Sequence, residues 1–228
     1  MKKITNIKEY YNDSKGYLKE HDDFFKSSNI NKDINFITKA LAIKKTDQVI
    51  DIACGQGRHV NLLASKGYKI DGVDFSNTLL NLARENSKQI KTKPQYFESD
   101  LKNIKINKKY NKAYWFFSDM ANIDPVKVAK SISKIIKNNG YLLIDTDNVF
   151  RITNYLINKK TKDLYFDADS FYLFDKTSSA KVPYLSSIMW KDVFSSINMK
   201  IVKTYGDYDF KKYEISSPRL IMIIKKTA

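Results

Sequence analysis

The sequence has almost no cysteine and no long apolar run, and each absence excludes a class of protein. Cys54 is the only cysteine among 228 residues, so intrachain disulfides and zinc sites built from several cysteines are excluded. This usage fits a reducing compartment, and we expect a cytoplasmic protein. No stretch approaches the ~18 consecutive apolar residues of a membrane-spanning helix, so we expect no membrane span. The first residues are polar, which argues against a signal peptide.

Acidic residues are outnumbered, and the chain carries a formal net charge of +15. Such a charge is compatible with nucleic-acid binding. However, only four of the 40 basic residues are arginines, and the lysines are scattered in pairs rather than gathered in a basic tail. Together with abundant isoleucine and asparagine, this composition is also typical of an AT-rich genome. A nucleic-acid partner therefore stays open, as the less favoured alternative to a small molecule.

Apolar periodicity predicts strands that alternate with helices in the middle of the chain. The predicted strands comprise residues 48–53, 69–74, 95–98, 113–117 and 141–145. Gly67 is predicted to end one helix, Ser76 to cap the next, and Pro125 to open a third. Strands and helices of this length predict βαβ units and a parallel sheet. Alternation in the fourth strand would send Trp115 and Phe117 to the same face.

The pattern changes after the fifth predicted strand. Residues 148–186 are rich in aromatic residues and lack a clear period, so we predict an irregular segment there. Residues 200–205 and 219–225 are predicted strands, and a connection of about a dozen residues between them predicts an antiparallel pair at the end of the sheet. Arg219 is more readily interpreted as the partner of a nearby acid in a salt bridge than as a clamp on a substrate.

Acidic side chains follow three successive predicted strands. Asp51 ends the first, Asp74 ends the second, and Asp100 follows the third. Because ligands of open α/β sheets bind at the carboxyl ends of the strands, we expect these acids to line one crevice. The spacing from residue 51 to residue 74 matches that of an acid that hydrogen-bonds ribose hydroxyls. Between the first two acids, Gly55 and Gly57 would let the backbone approach a ligand closely.

The segment from Asp51 to Gly57 resembles the first motif of class I S-adenosylmethionine (SAM)-dependent methyltransferases. That motif reads acid-x-Gly-x-Gly-x-Gly, and this chain has Ala53 in place of the first glycine. The resemblance implies SAM as the cofactor and S-adenosylhomocysteine (SAH) as its product. A dinucleotide fingerprint would need a glycine at position 60, which is Val60, so an NAD-dependent dehydrogenase is the weaker alternative.

The resemblance also implies a set of cofactor contacts. The implied contacts are Asp51, Ala53, Gly55, Gly57, Asp74, Phe75, Asp100, Leu101, Phe117 and Tyr11. Asp74 would bind both ribose hydroxyls. The Asp100 carboxylate would accept a hydrogen bond from the adenine amine, and the Leu101 amide would donate one to the ring. Tyr11 belongs to the N-terminal tyrosines that would fold over SAM, although packing on a helix surface explains them equally well.

The fold implied by the resemblance is Rossmann-like and doubly wound. It has a mostly parallel seven-stranded sheet with an antiparallel C-terminal strand, an N-terminal helical segment and a small cap insertion. We expect a single methyltransferase domain over residues 1–228. Its expected parts are an N-terminal helical lid (1–44), a SAM-binding core (45–147), an acceptor-side cap (148–186) and the C-terminal strands (187–228).

The end of the fourth strand usually faces the methyl acceptor in this family. Nucleobase amino-methyltransferases often carry Asn/Asp-Pro-Pro-aromatic there, whereas this chain has the segment from Phe117 to Met120. Residues 205–221 are similar to the closing strands of bacterial small-molecule methyltransferases. We therefore predict methyl transfer to a nitrogen or oxygen of a small molecule. An RNA methyltransferase and a SAM-binding protein without catalysis remain as alternatives.

A base is needed only if the acceptor loses a proton during methyl transfer. The candidate bases are Asp119, after the fourth strand, His59, in the helix after the glycine loop, and His21, in the N-terminal segment. Asp147, near the end of the fifth strand, is a fourth candidate that is more simply explained as a strand-end cap. A packing or capping role explains His59 more simply. No cluster of histidines and acids has the spacing of metal ligands, so we predict no metal. The oligomeric state is open, with a homodimer among the options.

Overall fold

The structure is a computed structural model that describes residue 19 and residues 26–159, 162–177 and 180–227. The predicted lid residues Tyr11 and His21 lie outside these described residues. The helices are α1 (Ser27–Ala40), α2 (Arg58–Ser65), α3 (Asn77–Ser87), α4 (Pro125–Ile135), α5 (Val149–Lys159) and α6 (Ser187–Ser195). Two short 3₁₀ turns, Leu101–Asn103 and Met120–Ile123, follow the third and fourth strands.

Ten strands form two separate sheets. The main sheet contains β1 (Gln48–Ile52), β2 (Lys69–Asp74), β3 (Tyr96–Glu98), β4 (Tyr110–Trp115), β5 (Ile136–Asp147), β9 (Met199–Tyr205) and β10 (Arg219–Lys226). The small sheet contains β6 (Leu164–Asp167), β7 (Tyr172–Asp175) and β8 (Ala180–Pro183).

The main sheet has the strand order β3-β2-β1-β4-β5-β10-β9. Strands β1 to β5 pair in parallel, whereas β10 runs antiparallel to both of its neighbours. The chain leaves β1 toward β2 on one side and later returns to place β4 on the other. This reversal lies between β1 and β4, where open α/β sheets bind ligands. The predicted doubly wound fold, with its antiparallel C-terminal strand, is confirmed.

Local sequence signals set several helix ends. The Ser76 hydroxyl accepts a hydrogen bond from the Leu79 amide at 3.4 Å, and so caps α3. The Asp124 carboxylate does the same for the Lys127 amide before α4, whose first residue is Pro125. These contacts satisfy amides that have no partner within the helix. Each of these predicted helix starts is confirmed.

Helices cover both faces of the main sheet, and alternate residues of its strands divide the core in two. On one face, α4 and α6 pack against the sheet, with Ile132 and Trp190 fully covered. On the other face, α1, α2 and α3 bury residues such as Phe36, Leu63 and Leu80. Burial on both faces explains why the central strands are continuous apolar runs rather than alternating ones.

The fourth strand differs from its prediction. It comprises Tyr110–Trp115 rather than residues 113–117, and Phe117 adopts a left-handed backbone conformation with φ 56°. The turn breaks the strand alternation, so the predicted common face for Trp115 and Phe117 is wrong. Trp115 belongs to the core beneath α4 and α6, whereas Phe117 packs against the opposite core.

The segment 148–186 is more regular than we predicted. It contains α5 and the small antiparallel sheet, whose strands β6 and β7 pair from Leu164 to Asp167. The rings of Tyr165 and Phe174 stack across these strands with centroids 4.8 Å apart. The strands are four residues long and their side chains stay partly exposed, so they lack the apolar alternation by which a half-buried strand is recognised.

None of the helices in the described ranges is long and apolar enough to cross a membrane.

Candidate functional site

The loop after β1 turns sharply through three residues in the left-handed region. Ala53, Gly55 and Gly57 have φ values of 55°, 53° and 75°. A Cβ atom on Gly57 would lie 2.8 Å from the Tyr96 hydroxyl oxygen, so a side chain cannot be accommodated there. A Cβ on Gly55 would meet only a Leu79 methyl group, at 3.9 Å. The loop is therefore tightly packed below Gly57 and open at Gly55, as a backbone that approaches a ligand requires.

The Asp74 carboxylate connects this loop to the end of β2. One of its oxygens accepts a hydrogen bond from the Gly55 amide and the other from the Ser76 amide, both at 2.8 Å. The side chain is buried, and burial raises the pKa of Asp74 even though these amides lower it. Because each carboxylate oxygen can accept a second hydrogen bond, Asp74 fits the predicted contact with ribose hydroxyls.

Asp51 is buried at the end of β1, below the same loop. Burial raises its pKa well above the usual value, the nearby Arg58 cation lowers it, and the Asp74 charge raises it again. The carboxylate lies 3.9 Å from Nδ1 of His59. Asp51 is thus enclosed by Arg58, His59 and Asp74 beneath the loop, and its predicted contact with the cofactor stays a prediction.

His59 is held inside the protein rather than presented to an acceptor. Its Nε2 atom lies 3.1 Å from an Asp33 oxygen that also accepts a hydrogen bond from Arg58 at 3.0 Å. Burial lowers the pKa of His59 to about 4, so the imidazole is neutral near pH 7. These contacts favour the packing interpretation of His59. The sequence analysis missed Asp33, which joins α1 to the first turn of α2.

The third acid lies at the surface. Asp100 is exposed, and its carboxylate accepts a hydrogen bond from the Lys102 amide at 2.8 Å, which caps the short 3₁₀ turn after β3. Leu101 is buried under this turn, and Phe75 is half-buried in the turn after β2. Asp51, Asp74 and Asp100 thus lie at the ends of β1, β2 and β3. The first two are buried, whereas Asp100 is exposed and accessible to a ligand.

Phe117 lies between the first turn of α2 and a cavity at the ends of β4 and β5. Its ring lies between two guanidinium groups, with its centre 5.5 Å from the carbon of Arg58 and 5.4 Å from that of Arg219. Its amide donates a hydrogen bond to a carboxylate oxygen of Asp145 at 3.0 Å. The left-handed turn at Phe117 is therefore fixed by a residue of the neighbouring strand.

A cavity of about 240 Å³ lies beyond Phe117, between the ends of β4 and β5 and the segment after β8. Its lining residues are Phe117, Ser118, Asp119, Ala121, Asn122, Thr146, Asp147, Val182, Pro183, Tyr184, Leu185 and Arg219. Burial, with a smaller contribution from the Asp74 charge, raises the pKa of Asp119 to about 6. Of the candidate bases that the structure describes, Asp119 and Asp147 line this cavity and His59 does not.

Arg219 lines the cavity together with Asp147, and it also pairs with the buried Asp145. The Arg219 Nε atom lies 2.8 Å from Asp145, and its Nη1 atom pairs with Asp147. Asp145 is fully buried, and its second oxygen accepts hydrogen bonds from the Phe117 amide and from the Tyr208 hydroxyl at 3.1 Å. The predicted salt bridge of Arg219 is confirmed. The central position of Asp145 was missed, because it depends on strands that are distant in sequence.

A buried asparagine holds the long connection between β9 and β10. The Asn148 amide group donates hydrogen bonds to the carbonyls of Ile215 and Ser217, and its oxygen accepts one from the Tyr213 hydroxyl at 2.9 Å. These contacts close the loop that carries Tyr208 to Asp145. Asn148 also accepts a hydrogen bond from the Phe150 amide at 3.2 Å, at the start of α5. Its partners in the loop lie more than 60 residues away, so no local pattern in the sequence marks that second role.

The residues at the carboxyl ends of β1 and β2 fit SAM better than a dinucleotide. The open face at Gly55 and the remaining acceptor capacity of Asp74 suit a nucleoside with an amino-acid tail. Val60, at the position of the third glycine of a dinucleotide fingerprint, is fully buried in the core. Within the described ranges, no group of three or more histidine, cysteine, aspartate or glutamate side chains could hold a metal ion.

Comparison with known proteins places this site in a family context. A methyltransferase-domain family matches residues 49–140, which contain β1 to β4 and the loop after β1. A methyltransferase-named protein, 235L of Invertebrate iridescent virus 6, is 29% identical over 188 residues, covering 78% of this chain and 65% of that protein. The methyltransferase-named protein YqeM of Bacillus subtilis is 27% identical over 117 residues, covering 49% and 47%. The chain thus spans about half to two thirds of the length of these relatives.

Solved structures show the same fold. A SAM-dependent methyltransferase from Clostridium acetobutylicum superposes with a TM-score of 0.73 at 18% identity, covering 93% of this chain and 99% of the other. Magnesium protoporphyrin IX methyltransferase from Synechocystis, solved with bound SAH, gives a TM-score of 0.68 at 11% identity, covering 97% and 98%. The sequence match over the glycine loop and the shared fold support the expected resemblance to the class I SAM-dependent methyltransferases, the family whose cofactor is SAM.

Proposed function

We propose that this protein transfers a methyl group from SAM to a nitrogen or oxygen atom of a small molecule. The observation that carries the proposal is the cavity of about 240 Å³ at the ends of β4 and β5. It lies close enough to the predicted cofactor site for the Asp74 charge to raise the pKa of Asp119, and Phe117 lines it. Small-molecule sites are concave and carry a few convergent polar groups, and this cavity presents Asp119, Asp147 and Arg219 together with apolar side chains.

The walls of the cavity support a small acceptor. Val182, Pro183 and Leu185, from the end of β8 and the segment after it, form an apolar side opposite Asp119 and Asn122. The volume is slightly below the ~300–1,000 Å³ typical of sites for drug-sized ligands. The predicted role of residues 148–186 as an acceptor-side cap is consistent with this wall, and we keep it as part of the proposal.

When bound, SAM supplies a methyl group on a sulfonium centre that is already activated for displacement. The protein then has to bind the acceptor, to align it with the methyl carbon at about 3 Å and to exclude water. Phe117, fixed by Asp145, would position the acceptor against the cofactor. The cap segment after β8 would exclude water from the reacting atoms. Asp119 would accept a proton if the acceptor loses one.

The net charge of +15 favours one competing function, methylation of RNA. Binding dominated by phosphate contacts would weaken steeply as the salt concentration rises. To separate the two, the protein is incubated with labelled SAM and either a metabolite extract or total RNA. We expect the label in a small product. Label found only in RNA or protein would contradict the proposal, and detectable turnover of any acceptor would exclude a SAM-binding protein without catalysis.

The donor site is tested first, by calorimetric titration of SAM, SAH and NAD. We expect SAM and SAH to bind and NAD not to bind. Asp74→Ala removes both acceptor oxygens and should weaken SAH binding about 100-fold, which corresponds to about 2.7 kcal/mol. Asp192→Ala, at an exposed acid on α6, serves as the matched control and should leave the affinity unchanged. Binding of NAD, or of none of the three ligands, would contradict the proposed function.

A further inference from the structure

The charge around the acceptor cavity is opposite to that of the whole chain. The charged residues on its lining are Asp119, Asp147 and Arg219, and Arg219 is also paired with the buried Asp145. With all four groups ionised, three negative charges and one positive charge give a local charge of −2, in a chain of net charge +15. A cavity of this sign attracts cations and repels phosphates.

Asp119 is the carboxylate in this group that is not neutralised. The Arg219 guanidinium is already shared between Asp145 and Asp147. Within the part of the chain that the structure describes, no lysine or arginine lies within ion-pair distance of the Asp119 carboxylate. Burying most of a charged group costs free energy unless an opposite charge pairs with it. The Asp119 carboxylate lacks such a counter-ion.

The other lining residues indicate what kind of ligand would supply the positive charge that Asp119 lacks. Ala121, Val182, Pro183 and Leu185 offer apolar surface but no ionic partner. The Tyr184 hydroxyl stays protonated and uncharged at neutral pH, because burial raises its pKa to about 12. A ligand that satisfies both features has one cationic end for Asp119 and a small apolar or ring-shaped body for the opposite wall.

We propose that the methyl acceptor is a small aliphatic amine that enters the cavity as its ammonium ion and is bound by Asp119. This inference rests on the proposed function, since it names the substrate class of the same cavity. Of the two acceptor atoms in the proposed function, it selects nitrogen over oxygen. It also disfavours acceptors that carry a carboxylate or a phosphate. It also separates the basic surface of the chain, which would attract RNA, from the acidic cavity where the reaction takes place.

Asp119 is then the group that prepares the nitrogen for attack. Its carboxylate takes one proton from the ammonium ion and becomes neutral, which frees the lone pair of the amine. The nitrogen forms a bond to the methyl carbon of SAM, and the carbon–sulfur electron pair goes to sulfur and leaves SAH. The product is the N-methylammonium ion, and Asp119 releases its proton to water as the product leaves.

The test compares amines with alcohols of the same shape. Benzylamine and benzyl alcohol form one pair of probes, and cyclohexylamine and cyclohexanol form a second. Binding of each probe at neutral pH is measured by calorimetry, with and without saturating SAH. We expect each amine to bind at least about tenfold more tightly than its alcohol. Equal or absent binding of amine and alcohol in both pairs would overturn the inference.

Two variants test whether Asp119 causes the preference for amines. Asp119→Asn keeps the shape of the side chain but removes its charge, so the preference for the amine should fall to within about twofold. Asp192→Asn removes an exposed acid outside the cavity and should preserve the full preference. If Asp119→Asn also retained the preference, the proposed role of Asp119 would be wrong. If that variant fails to fold, as thermal unfolding would show, the comparison of probes on the wild-type protein decides alone.

The outcome is distinguishable from a failure of the proposed function. SAH binding that is lost in Asp74→Ala, together with no preference for amines, would leave the methyltransferase in place and overturn only the amine acceptor. A preference for amines without any binding of SAM or SAH would retain the cation site and overturn the proposed function.

Discussion

Two regions of this protein, which we call the donor side and the acceptor side after the proposed function, are organised in different ways. The donor side is the glycine loop with Asp74, and the acceptor side is the cavity at the ends of β4 and β5. On the donor side, Asp74 reaches the amides of Gly55 and Ser76, which lie 19 and 2 residues away in the chain. On the acceptor side, Asp145 reaches Phe117 across 28 residues and Arg219 across 74. A motif within one βαβ unit thus builds the first site, whereas packing between distant strands builds the second. This comparison indicates that the acceptor side can change without disturbing the donor loop.

The largest effect is expected where the acceptor side depends on a buried charge. Arg219→Ala leaves Asp145 fully buried without its cation, and should lower the free energy of unfolding by about 3–5 kcal/mol in chemical denaturation. Arg151→Ala removes an exposed guanidinium whose nitrogen lies 3.2 Å from a backbone carbonyl, and should cost less than about 1 kcal/mol. If the two variants were equally stable, the acceptor side would not be organised around Asp145.

A single added methyl group at Gly57 should destabilise the loop after β1. Gly57→Ala places a Cβ 2.8 Å from the Tyr96 hydroxyl oxygen and keeps a positive φ, so we expect a loss of about 2–4 kcal/mol in stability. Gly55→Ala meets only Leu79 at 3.9 Å and should cost about 1 kcal/mol from backbone strain alone. Thermal and urea unfolding of both variants measure the difference. Equal losses would show that close packing at Gly57 is not what requires glycine.

The charge of Asp119 in the cavity should lower the free energy of unfolding at neutral pH. Its folded pKa of about 6 lies above the usual value of 3.8, so the folded state binds more protons between these values and loses stability as pH rises through them. Asp119→Asn should therefore raise the free energy of unfolding by about 2 kcal/mol at pH 7.5. The gain should disappear below about pH 4, where both states carry a protonated Asp119. A variant that is less stable than wild type at pH 7.5 would contradict this expectation.

The smallest effect is a change in the pH profile of methyl transfer. If Asp119 accepts the proton of the acceptor, the rate should fall about tenfold for each unit of pH below about 6, because the carboxylate becomes protonated. Asp147, Arg219, Tyr184 and Asp74 are the other titratable groups that face it. The profile of Asp119→Asn should be lower and flat across this range. A wild-type rate that is independent of pH from 5 to 8 would exclude Asp119 as the base.

The sequence predicted the helix caps and the glycine turn because their signals are local. The caps at Ser76 and Asp124 and the turn from Ala53 to Gly57 each depend on residues within a few positions of one another. The small sheet was missed, because four-residue strands with half-exposed rings have no period that distinguishes them from a loop. Asp33 and Asn148 were missed for another reason. Nothing near them in the sequence shows that they will be buried beside their partners.

By itself, the sequence determined the alternation of strands and helices, the order that places Asp51, Asp74 and Asp100 at the strand ends, and the glycines that the cofactor loop needs. These features follow from side-chain period and backbone conformation, which neighbouring residues set. Only the tertiary structure decided which acids are buried, which cation neutralises them and which carboxylate remains for a ligand. Burial and pairing depend on side chains that come together only when β10 pairs with β5 and the small sheet packs near the end of β4. The spacing of residues along the chain does not reveal these contacts.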